Sequence, residues 1–162
     1  MLALVPARKG SKGLPGKNTK VFCGKPLISW TIEALLKAKS ISEIIISTDD
    51  PKVVEISKKY NLKIPFLRPA YLAKDSSLAI DVYRYTINKL NKSRKKKIDN
   101  FLVTLPTSPL KTYKDINEAV SIFLKKNPDS LISCTKMNHP LDWVLNIDKF
   151  NYIKKKYKNN EV

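Results

Sequence analysis

Short apolar runs alternate with helix-spaced apolar positions along most of this chain. Residues 2–5 are continuously apolar and end in a turn, as a buried strand does. Pro26 sits where a first helical turn tolerates it, and Ile28, Ile32, Leu35 and Leu36 then recur at helical spacing as far as Lys39. Ile44-Ile45-Ile46, within residues 43–48, is a β-branched run typical of a parallel strand covered on both faces. Asp49-Asp50-Pro51 opens a helix that carries Val53, Val54 and Ile56 and ends near Asn61. Residues 64–67 read as a short strand and 68–77 as a polar loop. A helix over 78–90 places Ile80, Tyr83, Ile87 and Leu90 on one face. Residues 101–105 form another strong strand. Thr112 is an N-cap for a helix to Lys126 that buries Ile116, Ala119, Val120, Phe123 and Leu124. Residues 130–135 and 143–147 read as two further strands. This alternation predicts an α/β fold, a mostly parallel sheet with helices on both faces. One domain spans residues 1–148. Residues 149–162 are a polar, basic tail, either a frayed end or the start of a missing C-terminal segment.

Bulk properties narrow the picture. At 162 residues the chain can bury a real core, and 43% hydrophobic with 28% charged residues is ordinary for a soluble globular domain. No apolar run approaches the length that spans a bilayer, and residues 1–5 are too short for a signal peptide. Cys23 and Cys134 are too few for a disulfide scaffold, so a reducing cytoplasm is the expected location and no membrane partner is expected. The net charge of +17 invites a nucleic-acid reading. The cations are mostly Lys and are scattered, however. The run Arg94-Lys95-Lys96-Lys97 lies between a helix and a strand with no aromatics interleaved to stack bases. A basic nucleic-acid-binding domain is therefore the weakest reading, although the field would attract an anionic substrate.

The densest chemistry lies straight after the first strand. Three of the four glycines fall in residues 10–16, among Arg8, Lys9, Lys12 and Lys17 and beside Ser11 and Asn18. Such a loop can bring backbone N–H groups and positive charge to phosphate oxygens at a strand C-terminus. It is neither GxGxxG nor a Walker loop, because Lys17 is followed by Asn18.

Residues 5–18 also carry a longer pattern, PARxGSKGLPxKN. Ser47-Thr48-Asp49-Asp50, then Arg68-Pro69-Ala70-Tyr71-Leu72-Ala73-Lys74-Asp75 and Pro106-Thr107-Ser108-Pro109-Leu110, follow in order, and His139-Pro140 echoes a further pair. In these motifs the chain resembles the acylneuraminate cytidylyltransferases, the CMP-sialic acid synthetase family. The resemblance implies a Rossmann-like nucleotidyltransferase domain. It implies transfer of CMP from CTP to the anomeric hydroxyl of a nonulosonic, sialic acid-like sugar, with release of pyrophosphate. CTP and an acidic nine-carbon sugar would be the partners, Mg²⁺ the cofactor, and a full-length form could be a homodimer. By the match, Arg8 and Lys17 would be catalytic, neutralising the triphosphate. Ala7, Gly10, Ser11, Gly13, Asn18 and Arg68 would complete the nucleotide site, and Thr107 and Ser108 would face the sugar. Plainer readings stand beside these. Arg68 could form a salt bridge to Asp75 or Asp81, and Thr107 and Ser108 could serve a turn or a helix cap.

Three departures matter. Leu105 stands where the family usually has Gln, so a sugar-facing amide is replaced by an alkyl group. Ala79 stands where a hydroxyl residue usually touches cytosine. Finally, the family's later stretch, with an Asp-containing metal motif, does not appear. Asp49, Asp50 and Asp75 are then the only early acids near the site, and none is assigned to a metal. Asp49-Asp50 reads as a helix-capping turn and His139 as structural. A non-catalytic nucleotide-binding homologue is the alternative reading.

Overall fold

The computed structural model describes residues 1–11, 13–135, 145–147, 149 and 152–155. The chain divides into two compact units, Met1–Asp129 and Ser130–Val162.

The first unit is built on strand β1, Leu2–Pro6, which lies between β4, Glu43–Ser47, and β5, Phe101–Val103. Both pairings are parallel, with Leu4 opposite Ile45 on one side and Val103 on the other. Parallel strands need crossovers. Helix α1, Leu27–Lys37, links β1 to β4; α2, Pro51–Lys59, and α3, Ala79–Lys92, link β4 to β5; α4, Tyr113–Lys126, follows β5.

Strand alternation divides the core into two layers. Ala3, Val5, Ile44 and Ile46 pack with Ile28, Ile32 and Leu35 of α1, Val53 of α2 and Ile116 of α4. On the other side Leu2, Leu4 and Ile45 meet Ile87 and Leu90 of α3. A strand buried on both faces explains the unbroken apolar run at the start of the chain.

Local signals set the helix ends. Asp50 caps α2 by accepting from the Lys52 N–H at 2.9 Å, with Pro51 in the first turn. Thr112 and Asp115 form a reciprocal capping box on α4, and Asn127 ends that helix in the left-handed conformation. Between β1 and α1 a small hairpin pairs β2, Val21–Phe22, with β3, Lys25–Pro26. Its turn residues Cys23 and Gly24 both have positive φ, as a two-residue hairpin requires. Trp30 Nε1 donates to the Phe22 carbonyl at 2.9 Å, Lys25 pairs with Glu33, and the Tyr60 hydroxyl donates to Glu33 at 2.9 Å. This clamp fixes the far end of the glycine loop against α1.

Some local expectations fail. Residues 64–67 form no strand, because Pro65 removes a donor that a ladder would need. Residues 130–135 are irregular as well, and Ile132 is 83% exposed; among the described residues no strand pairs with them. α3 turns Val82, Thr86, Ile87 and Leu90 inward and leaves Ile80 exposed. Leu36 of α1 and Leu124 of α4 also face solvent.

In the second unit, β6, Leu145–Ile147, pairs antiparallel with β7, Ile153–Lys155. Trp143, Val144, His139, Pro140 and Lys12 lie outside the described residues. No helix among the described residues is long and apolar enough to cross a membrane.

Candidate functional site

The strands β1, β4 and β5 all end at one edge of the sheet, the edge where open α/β sheets hold ligands. A cleft of about 310 Å³ opens there. That volume is at the lower end of the range for small-molecule sites. Arg8, Gly10, Ser11, Lys17 and Asn18 line it from the glycine loop, Arg68, Asp75, Ala79 and Tyr83 from the facing wall, and Leu105 and Thr107 from the turn after β5.

Backbone hydrogen bonds carry the loop out of the sheet in a defined direction. The Ala7 N–H donates to the Ser47 carbonyl at 2.9 Å, and the Thr48 hydroxyl donates to the Ala7 carbonyl at 2.6 Å. The Lys9 N–H donates to Asp49 Oδ1 at 2.8 Å. Asn18, 8% exposed, donates through Nδ2 to the Arg8 carbonyl at 3.0 Å and so draws the loop's two ends together. Gly16 needs its glycine, since its φ of 64° begins the tight turn Lys17–Thr19. At Gly10 and Gly13 an added Cβ would meet nothing within 4 Å. Their smallness leaves open space rather than relieving strain.

Arg68 is buried on the wall at 6% exposure. Its Nη2 donates to the Ser47 carbonyl at 2.6 Å and its Nε to Ser47 Oγ at 3.3 Å. The Thr86 hydroxyl reaches the same Oγ at 3.4 Å and also donates to the Val82 carbonyl at 2.7 Å. Burial pushes the Arg68 pKa down; Asp49 opposes this and Arg8 adds to it. A guanidinium nevertheless stays charged in proteins, so the wall presents a fixed cation. Burial likewise raises the Tyr83 pKa, opposed by Arg68, so this phenol stays neutral.

Arg8 reaches across the cleft. Its Nη1 donates to the Ala73 carbonyl at 3.3 Å and its Nη2 pairs with Asp75 Oδ1.

The residues expected from the sequence thus divide. Arg8, Gly10, Ser11, Lys17, Asn18, Arg68 and Thr107 converge on one cleft. Ala7 is buried beneath it, with both backbone groups bonded to β4 and its turn. Gly13 is exposed and outside the lining. Ser108 is outside it too: its N–H donates to Leu105 at 3.3 Å and its carbonyl accepts from Lys111 at 3.3 Å, a turn role, while the helix cap falls to Thr112.

Among the described residues no three His, Cys, Asp or Glu side chains stand close enough together to hold a metal. The acids nearest the cleft are engaged by protein donors, Asp49 and Asp50 by backbone N–H groups and Asp75 by Arg8.

Tyr83 and the carboxylate partner of Arg8 were not foreseen. Asp75 stood within a recognised motif, but nothing in the sequence paired it with Arg8 across 67 positions of chain.

The sequence profile for cytidylyltransferases matches residues 2–161. The chain belongs to this cytidylyltransferase family. It is 38% identical over 150 residues to the CMP-N,N'-diacetyllegionaminic acid synthase of Legionella pneumophila, covering 91% of this chain and 63% of that protein. It is 31% identical over 152 residues to a pseudaminic acid cytidylyltransferase of Campylobacter jejuni, covering 94% and 65%. The chain thus spans somewhat under two thirds of these relatives. Among solved structures, a CMP-2-keto-3-deoxy-manno-octonic acid synthetase complexed with CTP superposes with a TM-score of 0.63 at 23% identity, covering 78% of this chain and 48% of that one. This last likeness establishes the nucleotidyltransferase fold of the family, a mostly parallel sheet flanked by helices.

Proposed function

We propose that this chain carries the nucleotide-holding part of a cytidylyltransferase that moves CMP from CTP to the anomeric hydroxyl of a nonulosonic acid. The observation that supports it most is the convergence of Arg8, Lys17 and Arg68 with Ser11 and Asn18 on one cleft at the sheet's C-terminal edge. The names of the two relatives bring legionaminic- and pseudaminic-type acids forward as acceptors.

In the reaction proposed, the anomeric oxygen forms a bond to the α-phosphorus, the α–β phosphoanhydride bond breaks, and pyrophosphate leaves with its electron pair. The hydroxyl proton passes to solvent. Negative charge grows on the phosphoryl oxygens and the leaving group, so cations already in place lower the barrier. Arg8 and Lys17 would supply them from the loop. Arg68, held by Ser47, would act as a fixed charge near the cytidine. Thr107 would meet the acceptor, and beside it Leu105, 46% exposed, would offer an alkyl surface. The Mg²⁺ expected from the resemblance would come with the nucleotide, whose phosphate oxygens are its usual ligands.

The test is pyrophosphate release by the folded chain from CTP and Mg²⁺ with sialic, legionaminic and pseudaminic acids in turn. Release with one of them is the expected result. CTP binding without release by any would replace this reading with that of a non-catalytic nucleotide binder.

A further inference from the structure

We propose that Asp75 is a placeholder for phosphate: its carboxylate holds the Arg8 guanidinium across the cleft, and an entering triphosphate binds by displacing it. The inference rests on the reading of this cleft as a triphosphate site.

Three observations carry it. The first is position. Arg8 and Asp75 both line the cleft, and Arg8 spans it to reach Ala73 and Asp75 on the opposite wall. The second is access. The two side chains are 31% and 40% exposed, so a ligand in the cleft can reach both. The third is the build of the wall. Leu72 is buried on one side and Val82 of α3 on the other, while Lys74, Asp75 and Ser76 between them are exposed. The segment is thus anchored at its ends and open to solvent where the carboxylate sits.

Chemistry supplies the rest. A guanidinium binds carboxylate and phosphate through the same fork of N–H donors, so the two compete for it. A triphosphate approaching Arg8, Lys17 and Arg68 also meets the negative charge of Asp75 and is repelled while that carboxylate stays in place. Two arrangements follow, one clasped and one released, and only the released one offers Arg8 to the nucleotide. Apparent affinity is then the intrinsic affinity scaled by the released fraction. An ion pair this exposed adds little to the stability of the fold, so it can yield to a ligand. Asp75 is accordingly a positioning residue. It keeps Arg8 extended over the cleft when the nucleotide is absent and sets how readily the triphosphate gains it.

The experiment is calorimetric titration of CTP, inorganic tripolyphosphate and uncharged cytidine in metal-free buffer. Four proteins are compared: wild type, Asp75→Asn, Arg8→Ala and the double variant. Asp75→Asn should bind CTP and tripolyphosphate about fivefold more tightly than wild type, the size expected when an exposed ion pair no longer competes. Its affinity for cytidine should not change. In the Arg8→Ala background the same substitution should have no effect. Equal or weaker binding by Asp75→Asn would overturn the clasp. An equal gain in the Arg8→Ala background would overturn it too, because the effect would then be general charge repulsion. If wild type binds neither CTP nor tripolyphosphate, the reading of the cleft fails and the clasp with it. If wild type binds but Asp75→Asn gains nothing, only the clasp fails. Thermal melts confirm folding, and Asp75→Ser repeats the series if Asp75→Asn does not fold.

Discussion

The two ends of the central sheet use their polar groups in opposite ways. At the end where β1, β4 and β5 begin, several charged and hydrogen-bonding groups are taken up by neighbouring protein groups. The N-terminal ammonium donates to the Ser40 carbonyl at 2.7 Å, and the Ser40 N–H donates to Asn117 Oδ1 at 3.0 Å. Arg94 pairs with Glu43 at the start of β4, and Lys97 folds back to donate to the Asn91 carbonyl. At the end where the strands finish, the cations line a cleft instead. Basic residues crowd both ends, so composition alone does not separate them. Whether the neighbouring backbone closes over the charge or opens into a cavity does. The run at 94–97, the most basic stretch of the first unit, in this way becomes loop structure rather than a binding patch.

Perturbations should separate the two ends. The largest effect should come from the sheet they share. Leu4→Ala, at a fully buried position beneath α3, should cost about 2–5 kcal/mol in denaturant unfolding and weaken both ends together. Next is Arg68→Met at the open end. It leaves the Ser47 carbonyl without its charged donor, so it should cost about 1–3 kcal/mol and lower affinity for CTP as well. Arg94→Ala at the closed end should cost less than about 1 kcal/mol and leave CTP affinity unchanged. A fall in CTP binding with Arg94→Ala would erase the distinction between the ends.

The smallest effect concerns the clamp that seats the loop. The hydrogen bond from Lys25 holds the Glu33 carboxyl below its ordinary value of 4.5, with burial opposing and Tyr60 helping. A folded-state pKa below the unfolded one means the contribution is whole above the unfolded value and is lost as pH falls through the folded value. Glu33→Gln should therefore flatten the loss of Tm on acidification below about pH 4.5, compared with wild type, and change little near neutrality. An identical acid limb in both proteins would show that the clamp's charge is immaterial.

What could be read from the sequence follows the same division. β1, β4, β5 and the four helices were legible because a strand covered on both faces is continuously apolar and a helix repeats its apolar positions every three or four residues. Periodicity failed where no partner existed for the pattern. Residues 64–67 and 130–135 have strand-like composition, but Pro65 interrupts one and nothing described pairs with the other. Ile80 and Leu124 fit their helical phases and still face water, and neither belongs to a core cluster. In the site, residues 8–18 were legible as an anion loop from glycine and charge alone. Of the wall, Arg68 and Ala79 were named only through the motif resemblance, while the pairing of Asp75 with Arg8 across 67 positions of chain and the place of Tyr83, on a helix read as core, were not read. The turn role of Ser108 stood in the sequence as one of two readings, because a Thr-Ser pair after a strand suits a ligand and a turn alike.

On the proposed function, the cations at the open end hold a nucleotide triphosphate. Calorimetric titration of CTP into wild type and Lys17→Ala tests it most directly. Lys17 lines the cleft from the tight turn Lys17–Thr19 and belongs to neither core cluster, so the variant should keep the wild-type fold. Wild type should bind CTP saturably at one site, and Lys17→Ala should bind it about tenfold or more weakly, as loss of a charged hydrogen-bond donor to phosphate implies. Equal affinity in the two proteins would contradict the account.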